Sequence, residues 1–431
     1  MRVLVLGGYG FIGAEISRAL IDAGREVVGL GRDAAFGRRI IPEATWIGSD
    51  IGALTTPAAW APHLRNVAAV VNAAGALQDG ARDSLQGVHE SGIAALIEAA
   101  EAAGVSRFIQ ISAPGARFDA STAFLRTKAA GDASLRASRL DWVIFKPGLV
   151  IGRNAYGGTA LLRLLAGLPG VEALALADAK AQTVSIDDVT DAVTRAVAGG
   201  VPMRADYDLV EDRAHALGEI VAAMRRWLGF REPVLRLRLP RWAAAPVIFI
   251  ADVAGALGWR SPLRSTAMTV MAAGVVGDPA PWRAVIGRPL NSLEATLRAM
   301  PATAQERLYA RAQLALPVML LALGLFWLVS GAMGLVRLGA ASAHLVPLAG
   351  EAAAKALVGA ASLLDMAIGA GVLVRRTARA AALLSIVVAF GYLMAGTIIE
   401  PALWLDPLGV YVKIIPAMAL AAATALLIGE R

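Results

Sequence analysis

A short apolar strand that runs straight into Gly7-Gly8-Tyr9-Gly10-Phe11-Ile12-Gly13 constrains this chain more than any other stretch. Glycines there permit a tight turn and close approach of backbone to a ligand, and the amphipathic run Ala14 to Ala23 supplies a helix behind them. The first N–H groups of such a helix are unpaired and its dipole is positive at that end, so Gly7, Gly10, Phe11, Ile12 and Gly13 are expected to hold a pyrophosphate. Four further apolar runs follow: Glu26 to Leu30, Ala68 to Asn72, Arg107 to Ser112 and Trp142 to Phe145. With Val3 to Leu6 and Ala-rich helical stretches between them, they read as buried parallel strands. The fold class expected is α/β, a Rossmann-type doubly wound parallel sheet with a smaller, less regular substrate lobe over about 152 to 300.

The second strand ends Gly29-Leu30-Gly31-Arg32. An acid is the usual residue there when the ribose 2′-OH is recognised, whereas an arginine suits a 2′-phosphate, with Arg38 and Arg39 nearby. Arg32 therefore favours NADP(H) over NAD(H), which stays open as the alternative.

Composition enters with the second half of the chain. At 57% hydrophobic and 17% charged residues, the protein is more apolar than soluble domains are. The excess lies in four stretches, 314–336, 350–374, 380–399 and 408–428, each long enough to cross a bilayer as a helix. They define a four-helix transmembrane domain over 301–431 after the domain 1–300. Arg307 and Arg311 precede the first stretch, and Arg375, Arg376 and Arg379 lie between the second and third. The positive-inside rule then places the N-terminal domain and the C-terminus in the cytoplasm of a cell (inner) membrane protein. The segment Pro246 to Trp259 is apolar but short and broken by Asp252, and reads as a buried or membrane-surface helix.

Charged residues inside the spans are the exceptions that call for partners. Lys355 and Lys413 are expected to cluster with Glu400 and Asp406 near the outer rim or, equally, to snorkel to the surface. Asp365 lies deeper, with no basic residue at its level, and could relay protons, hold a quinone head group or bond to a neighbouring helix.

Other chemistries are excluded or disfavoured. With no cysteine there is no disulfide, thiolate metal site or cysteine nucleophile. Four scattered histidines suggest no metal site. The excess of Lys and Arg is spread over helices, not gathered into a stripe with aromatics, so no nucleic-acid partner is expected. The N-terminal apolar run breaks at Gly7, too early for a signal peptide.

Several landmarks in order make the first 300 or so residues resemble the atypical short-chain dehydrogenase/reductases. Gly7, Gly10 and Gly13 have the GxxGxxG spacing, and Asp50-Ile51 falls where family members contact adenine. Asn72-Ala73-Ala74-Gly75 is similar to the family's turn after the fourth strand, and Ile111-Ser112-Ala113 to the strand carrying the active-site serine. Lys146-Pro147-Gly148 resembles the segment beside the nicotinamide, and Val184 to Val189 a late signature. The resemblance is nearest to the branch containing the NADPH-binding accessory subunit of respiratory complex I. It implies cofactor contacts at Ala73, Ala74, Gly75, Lys128, Pro147 and Gly148. The tail resembles DoxX-like four-span domains through Phe326 to Gly331 and the residues around Glu400, Asp406 to Gly409 and Lys413. Some members of that second family are linked to quinone or sulfur redox chemistry, and many have no assigned role.

One position departs from the family. Its reactive pair is YxxxK, with tyrosine as general acid, and the matching stretch here is Phe124-Leu125-Arg126-Thr127-Lys128. Lys128 is in place, but a phenyl ring has no proton to donate to a developing alkoxide. Ser112 and Tyr156 are the remaining candidates. Two functional classes follow: an oxidoreductase acting on a lipophilic acceptor such as a quinone, or a non-catalytic NADP(H)-binding subunit or sensor of a membrane complex.

Overall fold

The computed structural model describes residues 1–80, 84–259, 261 and 263–429. The chain forms two compact units, one comprising Met1–Asp252 with Ser261–Arg307, the other Val253–Arg260 with Leu308–Arg431.

Seven parallel strands form the centre of the first unit: β1 (Arg2–Leu6), β2 (Glu26–Gly31), β3 (Thr45–Gly48), β4 (Ala69–Asn72), β5 (Arg107–Ile111), β6 (Asp141–Pro147) and β7 (Ala205–Leu209). Their order is β7-β6-β5-β4-β1-β2-β3. The helices that cover them are α1 (Phe11–Asp22), α2 (Ala34–Ile40), α3 (Gly92–Ala102), α4 (Ala123–Arg136) and α6 (Ile186–Ala198), while α5 (Gly158–Gly167) and α7 (Leu217–Trp227) pack on each other away from the sheet. β1 shows why its sequence is apolar at every position. Val3 and Val5 pack on one face with Ile16 and Leu20 of α1 and Val189 and Val193 of α6, while Leu4 and Leu6 pack on the other with Ile93 and Leu96 of α3. Both faces are covered, so alternation would leave polar groups without water. Strand order reverses between β1 and β4, the place where open α/β sheets bind ligands beyond their carboxyl ends.

A smaller lobe is built from three short ladders: Leu149–Ile151 with Thr183–Ser185, Lys180–Ala181 with His215–Ala216, and Val171–Leu174 with Leu235–Arg238. The late signature has a structural role here. Ser185 caps α6 by accepting the amide of Asp188 at 2.9 Å, and the Asp188 carboxylate accepts the Asn291 amide at 3.1 Å. A buried node nearby joins Glu211, which accepts hydrogen bonds from Thr183, from the His215 ring at 3.0 Å and from the Leu293 amide at 3.0 Å. His215 thus meets two acids, Glu211 and Glu294, that sequence spacing did not connect. Both Glu211 oxygens accept hydrogen bonds from other segments, so this group ties the parts of the lobe together.

Two helices, α8 (Ala245–Ala256) and α9 (Ser265–Ala273), precede the long helices α10 (Ala304–Val336), α11 (Glu351–Leu373) and α12 (Ala378–Ile399). These last three are long and apolar enough to cross a membrane. The stretch expected to be a fourth span is helical only over α13 (Ile414–Leu427), 14 residues, with turns over 407–413 before it. At 1.5 Å per residue that helix reaches about 21 Å, short of the ~30 Å hydrocarbon core. α10 and α11 meet through small residues: a Cβ on Gly369 would stand 2.7 Å from the Leu328 nitrogen and 2.8 Å from the Gly324 oxygen. Close backbone approach of this kind is how helices associate in lipid.

The expected rim cluster does not form. Lys355 instead pairs with Glu351, one turn back on its own helix, at 2.5 Å, and Glu400 takes His344 at 3.4 Å. Asp406 accepts the amide of Leu408 at 2.7 Å and serves the turn, while Lys413 lies at the start of α13. A neighbour four residues away on one helix costs less side-chain entropy to reach than one on another. Asp365 is buried and accepts the Tyr392 hydroxyl of α12 at 2.9 Å. Its partner is a phenol from the neighbouring helix, one of the roles its sequence position left open.

Candidate functional site

The glycine loop turns at the carboxyl end of β1. Gly7 has φ +68°, which places its carbonyl to accept the Gly10 amide at 2.7 Å, and the Ser17 hydroxyl holds the Gly8 carbonyl at 3.1 Å. Gly10 is the N-cap of α1 and has no side chain to occupy the helix's first amides. A Cβ on Gly13 would fall onto the Gly7 carbonyl, and one on Gly7 would come within 3.0 Å of Ala74. The loop and the Ala73 to Gly75 turn after β4 therefore approach each other too closely for any residue but glycine on the loop side.

Tyr9 is a brace. Its ring fills the space a Cβ on Gly31 would need, stacks edge-on to Phe36 at 5.5 Å, and its hydroxyl accepts the Asp33 amide at 3.0 Å. It fixes the end of β2, where Arg32 sits, while Asp33 caps α2 through the Phe36 amide at 2.9 Å. Asp50 caps the turn Ile51–Ala53 through the Gly52 amide at 3.1 Å, and Ile51 is buried beneath it.

A continuous chain of buried polar groups runs under the other half of the site. The Ala74 amide donates to Asn72 at 3.1 Å, Asn72 donates to Gln110 at 2.8 Å, Gln110 donates to Asp132 at 3.4 Å, and Ser112 donates to Asp132 at 2.5 Å. Lys128 lies one helical turn from Asp132 and donates to the carbonyls of Ile111 at 2.9 Å and Ala74 at 3.3 Å. His89, absent from the sequence-based set, accepts the Ala76 amide on Nε2 at 3.1 Å. Its Nδ1 therefore carries the proton and donates to Thr127 at 3.0 Å. Burial, then Lys128, push the His89 pKa down to about 2, so the ring is neutral. Asp132 could have been found by its place four residues after Lys128 on one helix face; His89 carried no spacing signal.

Phe124 meets the His89 ring edge-on at 5.7 Å and faces a cleft of about 250 Å³. Phe11, Ile12, Pro147, Leu149, Tyr156 and Val270 also line it. Tyr156 lies over Phe11, ring centroids 6.5 Å apart, and is 47% exposed. Pro147 and Gly148 line the cleft, while Lys146 turns away to pair with Asp206 at 2.6 Å. The three candidate catalytic groups are thus divided: the Ser112 proton is directed at Asp132, the Lys128 ammonium at two carbonyls, and only Tyr156 borders the cleft.

Burial lowers the Lys128 ammonium from 10.5 to about 8, with Asp132 acting the other way. Below about 8 the lysine is charged in both folded and unfolded chains, so the cost of burying that charge is carried in full. Between the two values the folded chain has released the proton and the unfolded chain still holds it, so stability rises with pH across that window. A neutral amine still has two N–H groups for its two carbonyls. The unfolding free energy of the wild type relative to Lys128→Met, measured by denaturant titration, is therefore expected to climb as pH rises from about 8 to about 10.5, by up to about 3 kcal/mol. A difference independent of pH would contradict a charged, buried Lys128.

Comparison with known proteins agrees with this architecture. Residues 7–199 match the NAD(P)H-binding family and residues 324–422 the DoxX-like family. Photosystem II assembly factor Ycf39 of Synechocystis sp. is 30% identical over 244 residues, covering 53% of this chain and 68% of that protein. Ceramide reductase of Caulobacter vibrioides is 29% identical over 199 residues, covering 46% and 60%. The chain spans 57% of the length of another curated relative, a chloroplastic protein of Arabidopsis thaliana. Among solved structures, the Bordetella bronchiseptica enzyme WbmH in complex with NAD+ superposes with a TM-score of 0.51 at 22% identity, over 72% of this chain and 98% of that one. UDP-glucuronic acid 4-epimerase from Bacillus cereus gives 0.51 at 16% identity, over 72% and 99%. These two show a shared fold. A glycine loop at the strand-order reversal, the sequence relatives and the two family matches together identify the chain as a member of the atypical short-chain dehydrogenase/reductases, with a nicotinamide-cofactor-binding domain joined to a DoxX-like membrane domain.

Proposed function

We propose that the protein is a membrane-anchored, NADP(H)-dependent oxidoreductase acting on a lipophilic acceptor such as a quinone. The observation that carries this reading is the cleft beside Pro147 and Gly148, whose wall is apolar and has Phe124 where a proton donor would stand. An acceptor that needs no enzyme-bound acid suits such a wall, because a quinone can take its second hydrogen as a proton from water. When bound, the nicotinamide supplies the hydride. The chain's own residues bind and orient: Gly7, Gly10, Phe11, Ile12 and Gly13 offer the pyrophosphate loop, and Asp50 and Ile51 the adenine side. Ala73, Ala74 and Gly75 offer the turn beside it, and Arg32 the charge for a 2′-phosphate. Lys128 holds the ends of β4 and β5 at the nicotinamide side. Ceramide reductase, one of the relatives, is named for a lipid substrate, which supports a lipid-derived acceptor. The arginines at 375, 376 and 379 favour a cytoplasmic position for their loop and for the N-terminal unit.

The alternative is a non-catalytic NADP(H)-binding subunit or sensor of a respiratory-type membrane assembly, favoured by the same Phe124 and by the internal bonding of Ser112 and Lys128. Purified full-length protein in detergent separates the two. The oxidoreductase reading predicts quinone-dependent oxidation of NADPH, faster than of NADH. A large thermal upshift with NADPH but a flat baseline across acceptors would leave the binding subunit.

A further inference from the structure

Helix α8 has the wrong outside for a helix that faces water. Trp242 just before it, and Phe249, Ile250 and Val253 within it, are 78%, 69%, 60% and 46% exposed, and with Pro246 and Leu257 they recur at helical spacing along one stripe. The opposite face carries buried Ala251 and half-buried Ile248. The one charge in the helix, Asp252, is turned inward, where Arg264 reaches it at 3.3 Å and the Ser265 amide at 3.3 Å. The exposed stripe is therefore both large and free of charge. A contiguous apolar patch of that kind marks an interaction surface.

What covers it follows from three observations. The 12 residues of α8 reach about 18 Å, too short to cross a hydrocarbon core but sufficient to lie along its surface. Its carboxyl end is fastened to the end of a membrane-spanning helix: the Trp259 indole donates to the Leu373 carbonyl of α11 at 2.7 Å, and the Arg375 amide donates to the Leu257 carbonyl at 3.0 Å. The end of a span marks the level of the lipid headgroups, so α8 starts from that level. Finally, Arg241 lies just before the helix, and Arg375, whose guanidinium is 5.4 Å from the Trp259 ring centroid, lies at its far end. Arginines at both ends of an apolar stripe, with a tryptophan at its start, are the composition of a helix seated in an anionic lipid interface.

We propose that α8 is an interfacial helix that inserts the Trp242, Phe249, Ile250 and Val253 stripe into the headgroup region of the bilayer. Its inner side continues toward the cleft. Ile248 and Arg241 line a cavity of about 210 Å³ with Met268 and Thr269 of α9, and Val270 of the same helix lines the nicotinamide-side cleft.

The chain has no cysteine, so Ile250→Cys gives a single attachment point for a fluorescent probe on the full-length protein, with Asp22→Cys, exposed at the end of α1, as reference. In nanodiscs of phosphatidylcholine and phosphatidylglycerol, the probe at position 250 should be quenched several-fold less by aqueous iodide than the one at position 22. It should also be quenched by a lipid carrying a nitroxide near its headgroup. Should Ile250→Cys not fold, Val253→Cys on the same stripe gives the same readout. Iodide access equal to the reference would overturn the proposal. So would protection from iodide without quenching by the lipid, because a second protein copy would then be the cover.

Discussion

Replacing Phe124 with Tyr is expected to raise NADPH-dependent reduction of a simple aldehyde or ketone by about 10²- to 10⁴-fold over the wild type, the range a positioned general acid supplies. Phe124 already faces the cleft, one helical turn before Lys128, and the added hydroxyl would extend from a ring held by the edge of His89. The gain should sit at the lower end of that range. Lys128 gives its N–H groups to the Ile111 and Ala74 carbonyls, and would have to leave one of them to lower the phenol's pKa. The double variant Phe124→Tyr with Lys128→Met should lose most of the gain. Loss of nicotinamide absorbance under steady-state conditions reads both. If Phe124→Tyr binds NADPH as the wild type does and still reduces nothing, the missing acid is not what silences carbonyl chemistry here.

Gly13→Ala should weaken NADPH binding by at least about 100-fold, or ~2.8 kcal/mol. The new methyl group would overlap the Gly7 carbonyl, which itself positions Gly10 and the start of α1. The loop must then open, and the first amides of the helix lose their common aim. Titration calorimetry gives the affinity directly, and the NADPH-induced thermal upshift should disappear with it. Far-ultraviolet circular dichroism should hold, because the long helices α10, α11 and α12 do not depend on this loop. Unchanged affinity would mean that the pyrophosphate binds elsewhere.

The parts of the fold that were legible in the sequence are those with covered surfaces on all sides. β1, β2, β4, β5 and β6 lie inside the sheet with helices on both faces, and such strands must be apolar throughout. β3 and β7 escaped notice because they are edges. Thr45–Gly48 has only two large apolar residues, and Ala205–Leu209 alternates with Asp206 and Asp208, as an edge open to water allows. The long apolar helices were equally plain, whereas α13 was overestimated: composition cannot tell that turns occupy 407–413.

In the site, residues that act through the backbone were readable, since glycine spacing alone encodes the loop. Groups that act through side-chain partners were not. Asn72, Gln110 and Asp132 form one bonded chain across three segments far apart in sequence, and Lys355 found a nearer partner than those expected of it. Spacing along a chain reports neighbours on one helix or strand; a hydrogen bond between elements depends on how they pack.

The bonding of Lys128 bears on how motifs of this kind are to be read. Its side chain works as a rivet through the ends of β4 and β5, joining the carbonyls of Ala74 and Ile111 in the middle of the molecule. A residue with that duty is retained for mechanical reasons whether or not a reaction takes place above it. The tyrosine partner of the motif has no such duty and can be exchanged without disturbing the sheet. In proteins built this way the lysine testifies to the scaffold, while the aromatic position four residues earlier testifies to the chemistry.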